Sequence, residues 1–198
     1  MKASNLAIAF LGAPGSGKGT QAKLLRDKFG FAYLATGDLL RERREKNDFT
    51  GRKVWQSMRE GRLVSSLLVA NLWSKEMEKI KKKEIFPGLI IDGSPRVMFE
   101  AKLIDEGLRW FEWEDKFKLV YLKINKKTSW DRLVASRGGR DRVDDVSEVI
   151  ERRWESFSQK SKVVFDYYQQ KGVSIVIDGE KSVEEVNQSL IEKLGLNE

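Results

Sequence analysis

The sequence predicts an α/β domain built on a five-stranded parallel sheet flanked by helices. Three observations carry that expectation. Short apolar runs alternate with helical patterns along the chain. Most of those runs lack apolar–polar alternation, as strands buried on both faces do. The first run, Leu6-Ala7-Ile8-Ala9-Phe10-Leu11, passes through a glycine-rich turn directly into a helical pattern. At 198 residues the chain is long enough for one domain with a full core.

Taken in order, the expected strands are Leu6–Leu11, Phe31–Ala35, Leu89–Ile91, Leu119–Ile124 and Val173–Ile177. Helical spacing is read over Thr20–Phe29, Asp38–Lys46, Gly51–Glu60, Ser66–Lys82, Phe99–Gly107, Thr128–Ala135, Ser147–Lys171 and Val183–Leu194. Ser182 and Glu185 have the spacing of a capping box at the start of the last helix. Thr36 is placed to cap the helix after the second strand. The six tryptophans, including Trp110 and Trp113 around Phe111, are read as packing helix faces against the sheet. No repeat, linker or low-complexity tract interrupts the pattern.

Composition removes several chemistries. The chain has no cysteine and no histidine, so disulfides, thiolates and imidazole acid–base catalysis are excluded. Structural zinc, which uses those ligands, is not expected. No apolar run approaches membrane-spanning length and no signal peptide is apparent, which fits a cytoplasmic protein. The net charge of +7 could mark a nucleic-acid surface or a cleft for small polyphosphates. The longest basic run, Lys79–Lys83, reads as solvated cations at a helix C-terminus. The arginines elsewhere stand next to motifs, which favours the cleft.

Residues 12 to 22 read Gly-Ala-Pro-Gly-Ser-Gly-Lys-Gly-Thr-Gln-Ala. Gly15, Gly17 and Gly19 let several N–H groups turn toward one point, Lys18 adds a mobile positive charge, and the helix opening near Thr20 adds its dipole. Such a concavity holds the phosphates of a nucleoside triphosphate. Gly19 stands where most such loops carry a magnesium-binding hydroxyl, which arrives one place later at Thr20. Further on, Gly88-Leu89-Ile90-Ile91-Asp92-Gly93-Ser94-Pro95-Arg96 reads as a strand ending in an acid, a tight turn and an arginine. Asp92 there can orient magnesium-bound water, and Arg96 can fork onto phosphate oxygens. A third cluster, from Asp131-Arg132 through Arg137, Arg140 and Arg142 to Arg152-Arg153, surrounds a Gly138-Gly139 hinge. Phosphoryl transfer needs several cations and a movable cover, and an arginine-bearing hinged loop answers both.

These motifs, with Thr36–Arg41 and Gly61-Arg62-Leu63-Val64, keep their order and spacing over nearly the whole chain. Together they resemble the adenylate kinases and their nucleoside monophosphate kinase relatives. The resemblance implies a P-loop kinase fold with a helical acceptor-binding insertion at 36–64 and a lid at 136–145. It implies that Gly15, Ser16, Gly17, Lys18, Gly19 and Thr20 wrap ATP phosphates, that Arg132 stacks on the ATP adenine, and that Lys181 meets ATP near the last strand. Thr36, Arg41, Arg62, Leu63, Val64, Gly93, Ser94, Pro95 and Arg96 would hold AMP, and Arg142 and Arg153 would clamp the transferred phosphoryl group and acceptor phosphate. Catalysis would then rest on Lys18, Arg96, Arg142 and Arg153 with Mg2+ as cofactor and no zinc. A monomer is the family expectation.

Three departures bear on that carry-over. Ser94 stands where the family has an aromatic residue. The family's lid arginine falls at Ser136, leaving Arg137 and Arg140 as alternatives; eleven residues between Arg132 and Asp144 make the lid the short type. Glu100 stands where adenylate kinases carry a Gln that reads adenine. A carboxylate only accepts hydrogen bonds and suits guanine better than adenine. If Glu100 reads the base, Glu100→Gln should improve AMP use. The expected activity is therefore ATP:AMP phosphoryl transfer giving two ADP, with a GMP or pyrimidine monophosphate kinase as the alternative of the same class. An RNA-associated P-loop ATPase is the alternative of another class.

Overall fold

The computed structural model describes residues 6–83, 88–135 and 147–196. In chain order the elements are β1 (Leu6–Gly12), α1 (Lys18–Phe29), β2 (Ala32–Ala35), α2 (Thr36–Arg44), α3 (Phe49–Arg59) and α4 (Ser66–Lys81). Then follow β3 (Gly88–Asp92), α5 (Met98–Trp110), a 3-10 turn (Glu114–Lys116), β4 (Phe117–Lys123) and α6 (Lys126–Ala135). The chain continues through α7 (Ser147–Gln170), β5 (Ser174–Asp178) and α8 (Val183–Leu194). The five strands form one parallel sheet in the order β2-β3-β1-β4-β5. The expected α/β class and all five strands are therefore present.

All seven residues of β1 are buried, because the central strand has helices on both faces. Ala7, Ala9 and Leu11 join a core with Trp73 and Met77 of α4, Ile104 of α5 and Tyr168 of α7. Leu6, Ile8 and Phe10 point the other way, toward Ala22 and Leu25 of α1 and Leu190 of α8. A strand with two apolar faces cannot show the period-2 alternation of a half-exposed one. Strand β4 starts earlier than the apolar run alone indicates, at Phe117, which pairs with Ala7 and packs on the Tyr168 ring at 5.1 Å.

This two-sided packing positions the cleft. The neighbouring strands β1 and β3 send their following helices to opposite faces, α1 to one core and α5 to the other. The loops leaving their carboxyl ends must diverge, and a crevice opens between them.

Local signals mostly behave as their chemistry predicts. At α8 both capping-box bonds form, Glu185 N–H donating to Ser182 Oγ at 3.2 Å and Ser182 N–H to Glu185 Oε2 at 3.0 Å. At the end of α4, Lys79 pairs with Glu76, Lys82 with Glu78, and Lys81 donates to the Phe111 carbonyl at 2.7 Å. Two expectations need correction. The cap of α2 is Ala35, without a side-chain bond; Thr36 is the first helical residue and is buried. Trp73 and Trp113 do pack inside, but Trp110 is 81% exposed. It lies on the solvent side of α5, whose core side is filled by Ala101, Ile104 and Leu108. No helix among the described residues is long and apolar enough to cross a membrane.

Candidate active site

At the carboxyl ends of β1 and β3 lies a cavity of about 840 Å³. Its floor is the loop between β1 and α1. Gly17 is the N-cap of α1 with φ 90°, a left-handed conformation that a side chain would strain. The first turn of α1 carries no acid, so its amide ends and dipole face the cavity uncompensated, as an anion site requires. Lys18 folds back over this loop, donating to the Gly12 carbonyl at 2.7 Å and the Ala13 carbonyl at 2.8 Å. The loop is braced from α6, where Ser129 Oγ donates to the Pro14 carbonyl at 2.6 Å.

Burial pulls the Lys18 ammonium down to about 8, with the Arg96 and Arg153 charges acting the same way and Asp92 opposing them. A cavity that gathers this much positive charge around a buried ammonium is built to receive an anion. Asp92 ends β3 beside the loop. A Cβ on Gly19 would stand 3.3 Å from Asp92 Oδ2, so the glycine there lets the carboxylate approach the loop closely. Tyr33, on β2, donates its hydroxyl to the same Oδ2 at 2.8 Å. Burial and the Asp92 charge push the Tyr33 hydroxyl far up, keeping it a donor. Sequence reasoning missed Tyr33. No local signal marks it, because its partner lies 59 positions away and only the β2–β3 pairing brings them together.

The remaining expected residues arrive from separate elements. Gly15, Ser16, Gly17, Lys18, Gly19 and Thr20 all line the cavity. So do Arg41 from α2, Arg62, Leu63 and Val64 from the turn after α3, and Gly93, Pro95 and Arg96 from the turn after β3. Arg132 from α6, Arg153 from α7 and Lys181 from the turn before α8 complete the wall. On α7 the cavity-lining positions are Arg153, Ser156, Phe157 and Ser161, the last three falling three, four and eight residues after Arg153 on one helical face. Several arginines are steadied locally. Arg41 pairs with Asp38, Arg62 with Glu60, and Arg96 Nε donates to the Gly93 carbonyl at 2.7 Å. Arg142, and with it the alternatives Arg137 and Arg140, lies outside the described residues.

Three expected acceptor contacts are not on the cavity wall. Thr36, Ser94 and Glu100 are buried behind it, at 2%, 1% and 2% exposure. The Trp73 indole N–H donates to Thr36 Oγ1 at 3.0 Å, and Thr36 Oγ1 lies 3.2 Å from Ser94 Oγ. Glu100, in the first turn of α5, accepts from the Arg96 backbone N–H at 2.7 Å. Burial pushes its carboxyl above the usual range, opposed by the Arg96 amide, the Arg96 charge and the Ser94 hydroxyl. Glu100 does not line the cavity, and its carboxylate is turned to the Arg96 amide behind the wall.

A hard-oxygen donor set is present for a metal. Among the described residues, no group of three or more His, Cys, Asp or Glu side chains could hold an ion by itself. One carboxylate and one hydroxyl, Asp92 and Thr20, instead both line the cavity at the phosphate loop. Magnesium fits that set, since it retains waters and takes one or two carboxylates with substrate phosphates.

The comparisons with known proteins agree with this geometry. A family profile described as Adenylate kinase matches residues 10–173. An adenylate kinase of Prochlorococcus marinus is 35% identical, covering 96% of this chain and 97% of its own length. Adenylate kinase 1 of a Nostoc species is 34% identical over 95% of this chain and 98% of the relative. An adenylate kinase of Fusobacterium nucleatum is 30% identical over 96% of this chain and 99% of the relative. With the phosphate loop, the Asp92 turn and the converging arginines in one cleft, the chain belongs to the adenylate kinase family of phosphotransferases.

Proposed function

We propose that this protein catalyses the reversible transfer of the terminal phosphoryl group of ATP to AMP, giving two ADP. The observation that supports it most is the convergence on one cavity of the anion-binding loop, Asp92 and arginines from α2, α6, α7 and the β3–α5 turn. An AMP phosphate oxygen attacks the γ-phosphorus as the bond to the β,γ-bridging oxygen breaks, and ADP leaves. The attacking oxygen is already anionic, so no general base is needed. Positioning and charge stabilisation carry the reaction.

In this reading Gly15 to Thr20 hold the ATP phosphates with Lys18, while Arg132 and Lys181 lie on the ATP side. Arg41, Arg62, Leu63, Val64, Gly93, Pro95 and Arg96 receive AMP. Arg153 and Arg142 act on the phosphoryl group between them. Residues 36–64 form the acceptor-binding region and 136–145 the lid. Asp92, through water, and Thr20 would hold magnesium. When bound, the ion neutralises charge on the transferred group. The family resemblance supports a cytoplasmic monomer.

The test is a panel of AMP, GMP, CMP and UMP with ATP, with and without magnesium. AMP should be the preferred acceptor, and chelation should abolish turnover. Elemental analysis of chelator-washed protein should find no stoichiometric zinc. Preference for another monophosphate would move the activity elsewhere in the superfamily, and bound zinc would contradict the reading of the lid.

Acidity supplies a second check. The Lys18 ammonium is present below about pH 8 and lost above it. kcat/KM for ATP reports the free enzyme, so it should be level below about pH 8 and decline above. In kcat the decline should move to higher pH, because bound phosphate favours the ammonium. Lys18→Arg, whose guanidinium stays charged, should lack the alkaline decline. A wild-type profile level to pH 10 would show that Lys18 does not assist capture.

A further inference from the structure

Tyr33 stands on the cavity wall, and the proposed chemistry gives it no part. In the β2–β3 register Ala35 is opposite Asp92, and Tyr33, two places earlier, shares the face of Ala35. Two residues of strand span about 6.5 Å, a gap that a tyrosine bridges with its ring and hydroxyl. A carboxylate only accepts, so the Tyr33 hydroxyl donates to Asp92 Oδ2 at 2.8 Å. The ring is itself held. The Arg26 guanidinium of α1 lies 5.5 Å from its centroid, and the ring packs against the core on the α1 side of the sheet. Oδ2 is also the oxygen that borders the phosphate loop, 3.3 Å from where a Cβ on Gly19 would stand. A carboxylate offers about four acceptor sites, so a bond at Oδ2 leaves Asp92 able to receive water.

We infer that Tyr33 is a positioning residue that pins Asp92 beside the phosphate loop, so that its carboxylate meets the hydrated magnesium accompanying ATP. The inference deepens the proposed kinase reading and rests on it for the metal, while the hydrogen bond rests on geometry alone. Partners that hold a metal-facing carboxylate in one orientation contribute to metal affinity without touching the ion. Without the hydroxyl, the Asp92 side chain is free to leave its rotamer. Metal-free ATP has no use for Asp92, because phosphate oxygens and a carboxylate repel; the loop amides and the cations of the wall hold it. The magnesium complex does use Asp92, through water. Loss of the hydroxyl should therefore be felt by one form of the nucleotide and not by the other. A ring that only filled space would treat both alike.

The test is titration calorimetry of ATP without any acceptor, in one series with magnesium and in a second with chelator. Tyr33→Phe keeps the ring and removes only the hydroxyl, and circular dichroism should show an unchanged fold. Its Kd for ATP with magnesium should rise about tenfold, the lower end of what partners of metal-facing carboxylates contribute, while its Kd in chelator should stay within about twofold. In an Asp92→Ala background the hydroxyl has nothing to hold. There the same substitution should change neither Kd, a coupling that independent sites do not show. Unchanged binding in magnesium, an equal weakening in both series, or a full effect persisting in Asp92→Ala would each overturn the inference. So would a wild-type protein that binds ATP equally well with and without magnesium. Absence of wild-type turnover with AMP would strike only the kinase reading, because neither titration contains an acceptor.

Discussion

Lys18→Met should leave a folded protein whose kcat/KM for ATP has fallen by about 10²–10³-fold, the usual scale for losing one preorganised charge contact. Lys18 is the cation held over the loop by the Gly12 and Ala13 carbonyls. Its ammonium is disfavoured by burial and by Arg96 and Arg153, so a neutral stem of similar length relieves a cost in the ligand-free protein. Thermal unfolding should therefore show little loss of stability, while initial rates at varied ATP show the catalytic defect. A variant that retains a third of wild-type kcat/KM would mean that the loop amides and arginines suffice without Lys18.

Arg96→Ala is expected to reduce kcat by a similar factor, again with the fold intact, because Arg96 is exposed and its side chain donates to the Gly93 carbonyl of its own turn. Arg96→Lys should recover little of the loss. A lysine offers a point charge, whereas the guanidinium fork can meet two phosphate oxygens in one plane. Steady-state rates at saturating ATP and AMP for both variants, with circular dichroism for folding, make the comparison. Near-normal turnover in Arg96→Ala would remove Arg96 from the catalytic set. Full rescue by Lys would show that net charge, not geometry, is what the site uses.

These expectations differ in where they could be read. Lys18 and Arg96 were legible because each sits in a short continuous motif whose backbone geometry is locally encoded. The glycines around Lys18 permit the loop, and the end of β3 places Asp92 and the turn to Arg96. Tyr33 and Trp73 carry no such mark, since a tyrosine in a strand and a tryptophan in a helix are ordinary core residues by sequence. Only the β2–β3 pairing brings Tyr33 to Asp92, and only the packing of α4 against α2 brings Trp73 to Thr36.

Position 100 separates the two kinds of information most clearly. By sequence it is a glutamate four residues after Arg96, in the first turn of a helix, and its resemblance to a base-reading position was the available signal. Nothing in the local pattern says whether that side chain reaches the cavity or turns back, since Val97, the N-cap, lacks the hydroxyl that would announce a capping box. The sequence by itself determined the α/β class, the five strands, the anion-binding loop and the Asp92-to-Arg96 turn. These follow from apolar periodicity, glycine placement and residues a few positions apart. The tertiary structure decided which polar groups face the cavity and which are consumed behind it. Trp73 bonds to Thr36 and Thr36 to Ser94 while Glu100 takes the Arg96 amide, and a buried hydrogen bond depends on partners that periodicity and spacing do not specify.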